Sequence, residues 1–91
     1  MAVESGNSVA VDDSAAVQLS SAAVPFGARH TVTIVNSGSD VIYVGDSDVD
    51  DSGFPLAAGG ALNGELEPHE ELWGICAAAE SSTFDYLHTG V

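Results

Sequence analysis

The sequence predicts an all-β domain, a small antiparallel β-sandwich or jelly-roll-like barrel of about seven short strands. Three observations point there. Valine-, isoleucine- and threonine-rich runs alternate with the period of a strand. Turn signals built from Gly, Pro, Asn, Asp and Ser separate these runs at a spacing of roughly ten residues. No long segment competes with a helical period.

The elements follow in chain order. Residues 1–8, MAVESGNS, are polar and aperiodic and read as a flexible N-terminal arm, leaving 9–91 as a single β domain. Val9–Val11 and Ala15–Leu19 are short strand candidates, broken by Asp12-Asp13-Ser14. Ser20 to Ala28, with Pro25 and Gly27, is a connection. His30–Asn36 is the clearest strand, with His30, Val32, Ile34 and Asn36 on one face. Asn36–Ser39 turns the chain into a returning strand, Asp40–Gly45, so 30–45 is a hairpin. The stretch 46–60 reads as a loop with Phe54-Pro55-Leu56 as its apolar anchor. Further strands are expected over Ala61–Leu66, Leu72–Ala78 and Thr83–His88, with turns at Glu67–Glu70 and Glu80–Ser82. The expected core is Val32, Ile34, Val41, Tyr43, Leu56, Leu62, Leu66, Trp73, Ile75, Phe84 and Tyr86, and a slip of one residue would reverse any strand's assignment.

The charge balance narrows function. Asp and Glu number 14 against Arg29 alone, a formal charge of −13. Disorder fits poorly, because 45% of residues are hydrophobic and strand-patterned. Phosphate recognition needs Lys and Arg, so a nucleic-acid partner is not expected. No apolar run approaches the roughly 18 residues of a membrane span, and no secretory leader pattern is visible, so neither a membrane partner nor export is expected. Self-repulsion of this size destabilises a compact fold in dilute buffer. In molar salt the Debye length falls to about 3 Å and the repulsion is largely screened. The composition resembles that of proteins from salt-accumulating archaea and their viruses.

A domain this small has a thin core of its own. Cys76 is the only cysteine, which excludes an internal disulfide and leaves metal, oligomerisation or docking as supports. Asp46, Asp48, Asp50 and Asp51 are the metal candidates, for Ca²⁺ or Mg²⁺. Asp46-Ser47-Asp48-Val49-Asp50 supplies the opening of a calcium loop, but Asp51 stands where Gly is needed and Ala57 where a bidentate Glu is needed. A solvated acidic loop is the better reading, and no cofactor is expected. His30, His69 and His88 match no zinc spacing. Cys76, among Ile75 and Ala77–Ala79, reads as a buried, inert thiol. No nucleophile-elbow or other catalytic pattern appears, so no enzyme is expected. Trp73 could be core, interface or a sugar platform, and Phe54-Pro55-Leu56 a partner anchor or a loop plug. Phe54, Pro55, Leu56 and Trp73 are therefore the interface candidates.

Three segments occur in order: Val32 to Gly45 (VTIVNSGSDVIYVG), Gly53 to Gly59 (GFPLAAG) and Leu66 to Ile75 (LEPHEELWGI). Over residues 30–76 this resembles small structural proteins of the head and tail modules of tailed viruses, with His69 where a glycine is common in the turn. The resemblance implies a β-sandwich or jelly-roll-like virion component, made in the host cytoplasm. Its leading form is a capsid decoration or cement protein of a haloarchaeal tailed virus. Its partners would be itself, as a trimer or pentamer, and the major capsid protein. The alternatives are a tail, turret or spike component that contacts the host surface, and a cytosolic metal- or sugar-binding β domain.

Overall fold

The computed structural model describes residues 3–20, 30–67 and 70–90. These carry eight strands: β1 (Val3–Val11), β2 (Val17–Gln18), β3 (His30–Asn36), β4 (Ile42–Gly45), β5 (Phe54–Leu56), β6 (Ala61–Leu66), β7 (Trp73–Ile75) and β8 (Ser82–Gly90). No helix occurs among the described residues. The strands form two antiparallel sheets of four, in the orders β1-β8-β3-β6 and β2-β7-β4-β5. The fold is thus the expected all-β sandwich. The expected hairpin over residues 30–45 is corrected: β3 pairs with β6 and β8 in one sheet and β4 with β5 and β7 in the other, so the turn between them crosses from sheet to sheet.

The pairing is nested. First pairs with last (β1 with β8), then β2 with β7, β3 with β6 and β4 with β5. This is the strand order of an eight-stranded jelly roll. Antiparallel alternation gathers the connections 12–16, 37–41, 57–60 and 76–81 at one end. Backbone bonds tie them there: Cys76 N–H to the Asp12 carbonyl (3.0 Å), Asn36 N–H to Gly60 (2.9 Å) and Ser37 N–H to Thr83 (3.0 Å). The 46–53 connection lies at the other end, as do residues 70–72 where they lead into β7.

The N-terminal expectation is corrected. Residues 3–8 do not form an arm, because β1 begins at Val3 and pairs with β8 along its length. A bulge between Gly6 and Val9 interrupts that ladder, with Ser8 in a left-handed conformation (φ 56°). The Ser8 N–H donates to Asp85 Oδ1 at 2.8 Å. Polar composition hid this strand; backbone pairing, which is blind to side-chain polarity, makes it. Similarly, Phe54–Leu56 is not loop but an edge strand, paired with β4. Pro55 is tolerated on an edge because its missing N–H has no ladder partner to serve.

Between the sheets lie Val11, Leu19, Val32, Ile34, Ile42, Val44, Leu56, Leu66, Cys76 and Phe84, all buried. Leu62 and Tyr86 pack against this cluster as half-buried members. His88 is also buried, its ring meeting Tyr86 edge-on at 5.4 Å. The expected core therefore holds for β3, β5, β6 and β8 and is reversed in β4 and β7. Ile42 and Val44 point inward in place of Val41 and Tyr43, while Trp73 and Ile75 flank an inward Gly74. A Cβ on Gly74 would meet Ile42 Cγ2 at 2.7 Å and the Leu19 methyls at 3.0 and 3.1 Å, so the core closes tightly over that glycine.

Candidate interaction face

The reversal in β4 and β7 moves three large side chains outward, Tyr43, Trp73 and Ile75. Residues in register share a face, so Ile75, Tyr43 and Pro55 form one outward row across β7, β4 and β5. Gln18, Trp73 and Gly45 form the next row across β2, β7 and β4. Tyr43, Trp73 and Ile75 are half-buried, and none of them packs on the core cluster. Phe54, at the free edge, is 61% exposed.

The strands that build this face carry no charged residue. The strands of the second sheet read VQ, IYVG, FPL and WGI, without a single Asp, Glu, Lys, Arg or His. The first sheet differs. Its outer surface is threonine-rich, with Thr31 and Thr33 hydrogen-bonded to Thr89 and Asn63, and it carries Glu65 and Asp85. A shallow open groove of about 440 Å³, lined by Thr31, Thr33, Asn63, Gly64 and Glu65, runs along that surface.

Carboxylates border the second sheet. The 46–52 connection leans on its outer side, since a Cβ on Gly45 would meet Val49 Cγ2 at 2.9 Å. That brings Asp46, Asp48, Asp50 and Asp51, all exposed, to the Trp73 end. From the other side the Trp73 Nε1–H donates to Glu71 Oε1 at 3.1 Å. Within the connection the aspartates shape turns: Asp46 Oδ1 accepts the Asp48 N–H at 2.9 Å, and Asp50 Oδ1 accepts the Ser52 N–H at 2.9 Å and its hydroxyl. The bonds from Ser52 hold the Asp50 carboxyl below the ordinary value of 3.8.

The sequence candidates thus separate. Among the described residues, no three His, Cys, Asp or Glu side chains converge as a metal site, the four aspartates included. His88 is a core residue, and His69 lies outside the described residues. Cys76 is buried, its thiol directed at the Val11 carbonyl (3.7 Å). Burial pushes that thiol's pKa up, and Asp40, Glu80, Asp12 and Asp13 push it further. Of the interface candidates, Pro55 and Trp73 lie on the outer face with Phe54 at its edge. Leu56 does not, being 4% exposed inside the core. Sequence reasoning missed Tyr43 and Ile75 as surface residues. The one available signal was Gly74 between Trp73 and Ile75, since only a small residue fits where two sheets approach closely.

No family model matches this chain, and neither the curated proteins nor the solved structures compared with it contain a match.

Proposed function

We propose that this chain is a non-enzymatic structural protein of a virion, a capsid decoration protein that docks through the outer face of its second sheet. One observation carries the reading. A domain of charge −13 keeps all four strands of one sheet free of charge and turns Tyr43, Trp73, Ile75 and Pro55 outward there. Exposed apolar faces rimmed by polar residues mark interaction surfaces. Jelly rolls serve in capsid and lectin domains alike, so the fold supports this reading only by analogy. The acidic surface suits a particle in brine, where carboxylates stay hydrated and their repulsion is screened. Self-association at symmetry axes of the shell would add avidity to each weak contact.

The test is quantitative mass spectrometry of purified particles, with copies measured against the major capsid protein. A fixed ratio across the shell is expected, and Ile75→Asp protein, folded in isolation, should fail to join shells. Absence from purified particles sinks the proposal. A few copies per particle would move the chain to a tail, turret or spike.

A further inference from the structure

We infer that the Trp73 end of the second sheet's outer face recognises a basic protein segment, one that sets arginine or lysine beside apolar side chains. This rests on the reading that the face is the docking surface, and it names the chemistry of what docks. The centre of the face is apolar and aromatic. Its margin at this end carries Glu71, in contact with the Trp73 indole, and the aspartates of the connection that leans on Gly45 through Val49. A guanidinium or ammonium placed over an indole gains from the ring's negative face. Carboxylates beside that ring add charge-assisted hydrogen bonds. Apolar neighbours on the same segment would cover Tyr43, Ile75 and Pro55.

Charge also decides against the other obvious occupant. A second copy would bring the same acidic margin, and the whole chain has one arginine and no lysine with which to answer it. Opposed like charges suppress a partner, whereas a basic rim is matched.

The experiment is a titration of the full chain with a synthetic peptide of alternating leucine and arginine. A leucine–glutamate peptide of equal length serves as control. Both are read in about 1 M salt, where the Debye length is ~3 Å and diffuse attraction is screened. Trp73 is the only tryptophan, so its emission reports the site directly, and calorimetry gives the affinity. The arginine peptide should shift the emission saturably and the glutamate peptide should not. Glu71→Gln with Asp48→Asn should weaken binding by about fivefold or more. Glu65→Gln with Asp85→Asn, an equal loss of charge on the opposite sheet, should leave it unchanged. Equal weakening by both pairs, absence of a saturable shift, or self-association abolished by Ile75→Asp would each overturn the inference. Failure of the titration with the chain still present on particles sinks this inference alone. Intact peptide binding with the chain absent from particles sinks the virion reading alone.

Discussion

Asn36, at the end of β3 in the first sheet, donates from Nδ2 to the carbonyl of Leu56 on β5 in the second sheet, at 2.8 Å. The same amide donates to the Asp40 carbonyl (2.8 Å) and accepts from the Gly38 N–H (3.1 Å) and the Ser82 hydroxyl (2.7 Å). A fully buried side chain thereby satisfies its hydrogen-bonding capacity and staples both sheets and the β3–β4 turn. Asn36→Leu keeps the branched shape, at somewhat larger volume, but strands two carbonyls, an N–H and a hydroxyl. It should cost about 3 kcal/mol or more, against about 1 kcal/mol for Ser82→Ala. Urea melts at fixed high salt check this, and the double variant should be less than additive because the two residues share a bond.

Gly38 lies against β8. A Cβ there would collide with the Ser82 hydroxyl and come within 2.5 Å of the Thr83 backbone nitrogen, which cannot swing aside. Gly64, on edge strand β6, faces open space. Gly38→Ala should destabilise by about 1–3 kcal/mol, and Gly64→Ala should change stability by no more than about 0.5 kcal/mol. Thermal unfolding of the two variants side by side is the measurement.

Ala79 holds a left-handed backbone (φ 66°) in the β7–β8 connection, its N–H bonded to Asp13 Oδ2 at 2.8 Å. An L-residue pays for that conformation and glycine does not. Ala79→Gly should therefore raise stability, by up to about 1 kcal/mol after glycine's greater unfolded-state entropy is subtracted. A lower melting temperature would contradict this account of the turn.

Cys76 should be silent to thiol reagents in the folded state. Its thiol is buried, and its pKa is raised by that burial and by four nearby carboxylates. Less thiolate and less access both slow attack. Reaction with a chromogenic disulfide at mild alkaline pH should follow global unfolding, speeding up only as denaturant approaches the transition.

Salt and pH act on the same carboxylates in different windows. At neutral pH the melting temperature should climb with added salt, most steeply below about 1 M, as the Debye length shrinks. In high salt, with repulsion screened, specific bonds decide the acid limb. Asp12 and Asp50 are held below the ordinary carboxylate value of 3.8, first by the hydroxyls of Ser14 and Ser52 and then by their backbone N–H groups. Their folded-state pKa lies under the unfolded one, so the unfolded chain binds more protons in that window and stability rises with pH. Their contribution is present above 3.8 and fades as pH falls through the lowered values. Both groups are solvent-exposed, so the effect is small, and Asp50→Asn should flatten the acid limb of a pH series in molar salt.

The sequence by itself determined the fold class, the strands on either side of the 37–41 turn and the inward face of β3. It did not determine how those strands pair, since β3 and β4 lie in different sheets. In β3, Thr31, Thr33 and Val35 alternate with Val32, Ile34 and Asn36, and only one phase puts the largest apolar share inside. It also determined the acidity and the isolation of Cys76. Tertiary structure alone decided the phase of β4 and β7. Val41-Ile42-Tyr43-Val44 is apolar at every position, and either alternate set could face the core. The choice fell to packing: Gly74 admits Ile42 and Leu19 on the inner side, which turns Tyr43, Trp73 and Ile75 to the outside. Tertiary pairing likewise made strands of Val3–Ser8, through β8, and of Phe54–Leu56, through β4. A strand's hydrogen bonds are completed by a partner distant in sequence, so no local pattern in either segment could announce it.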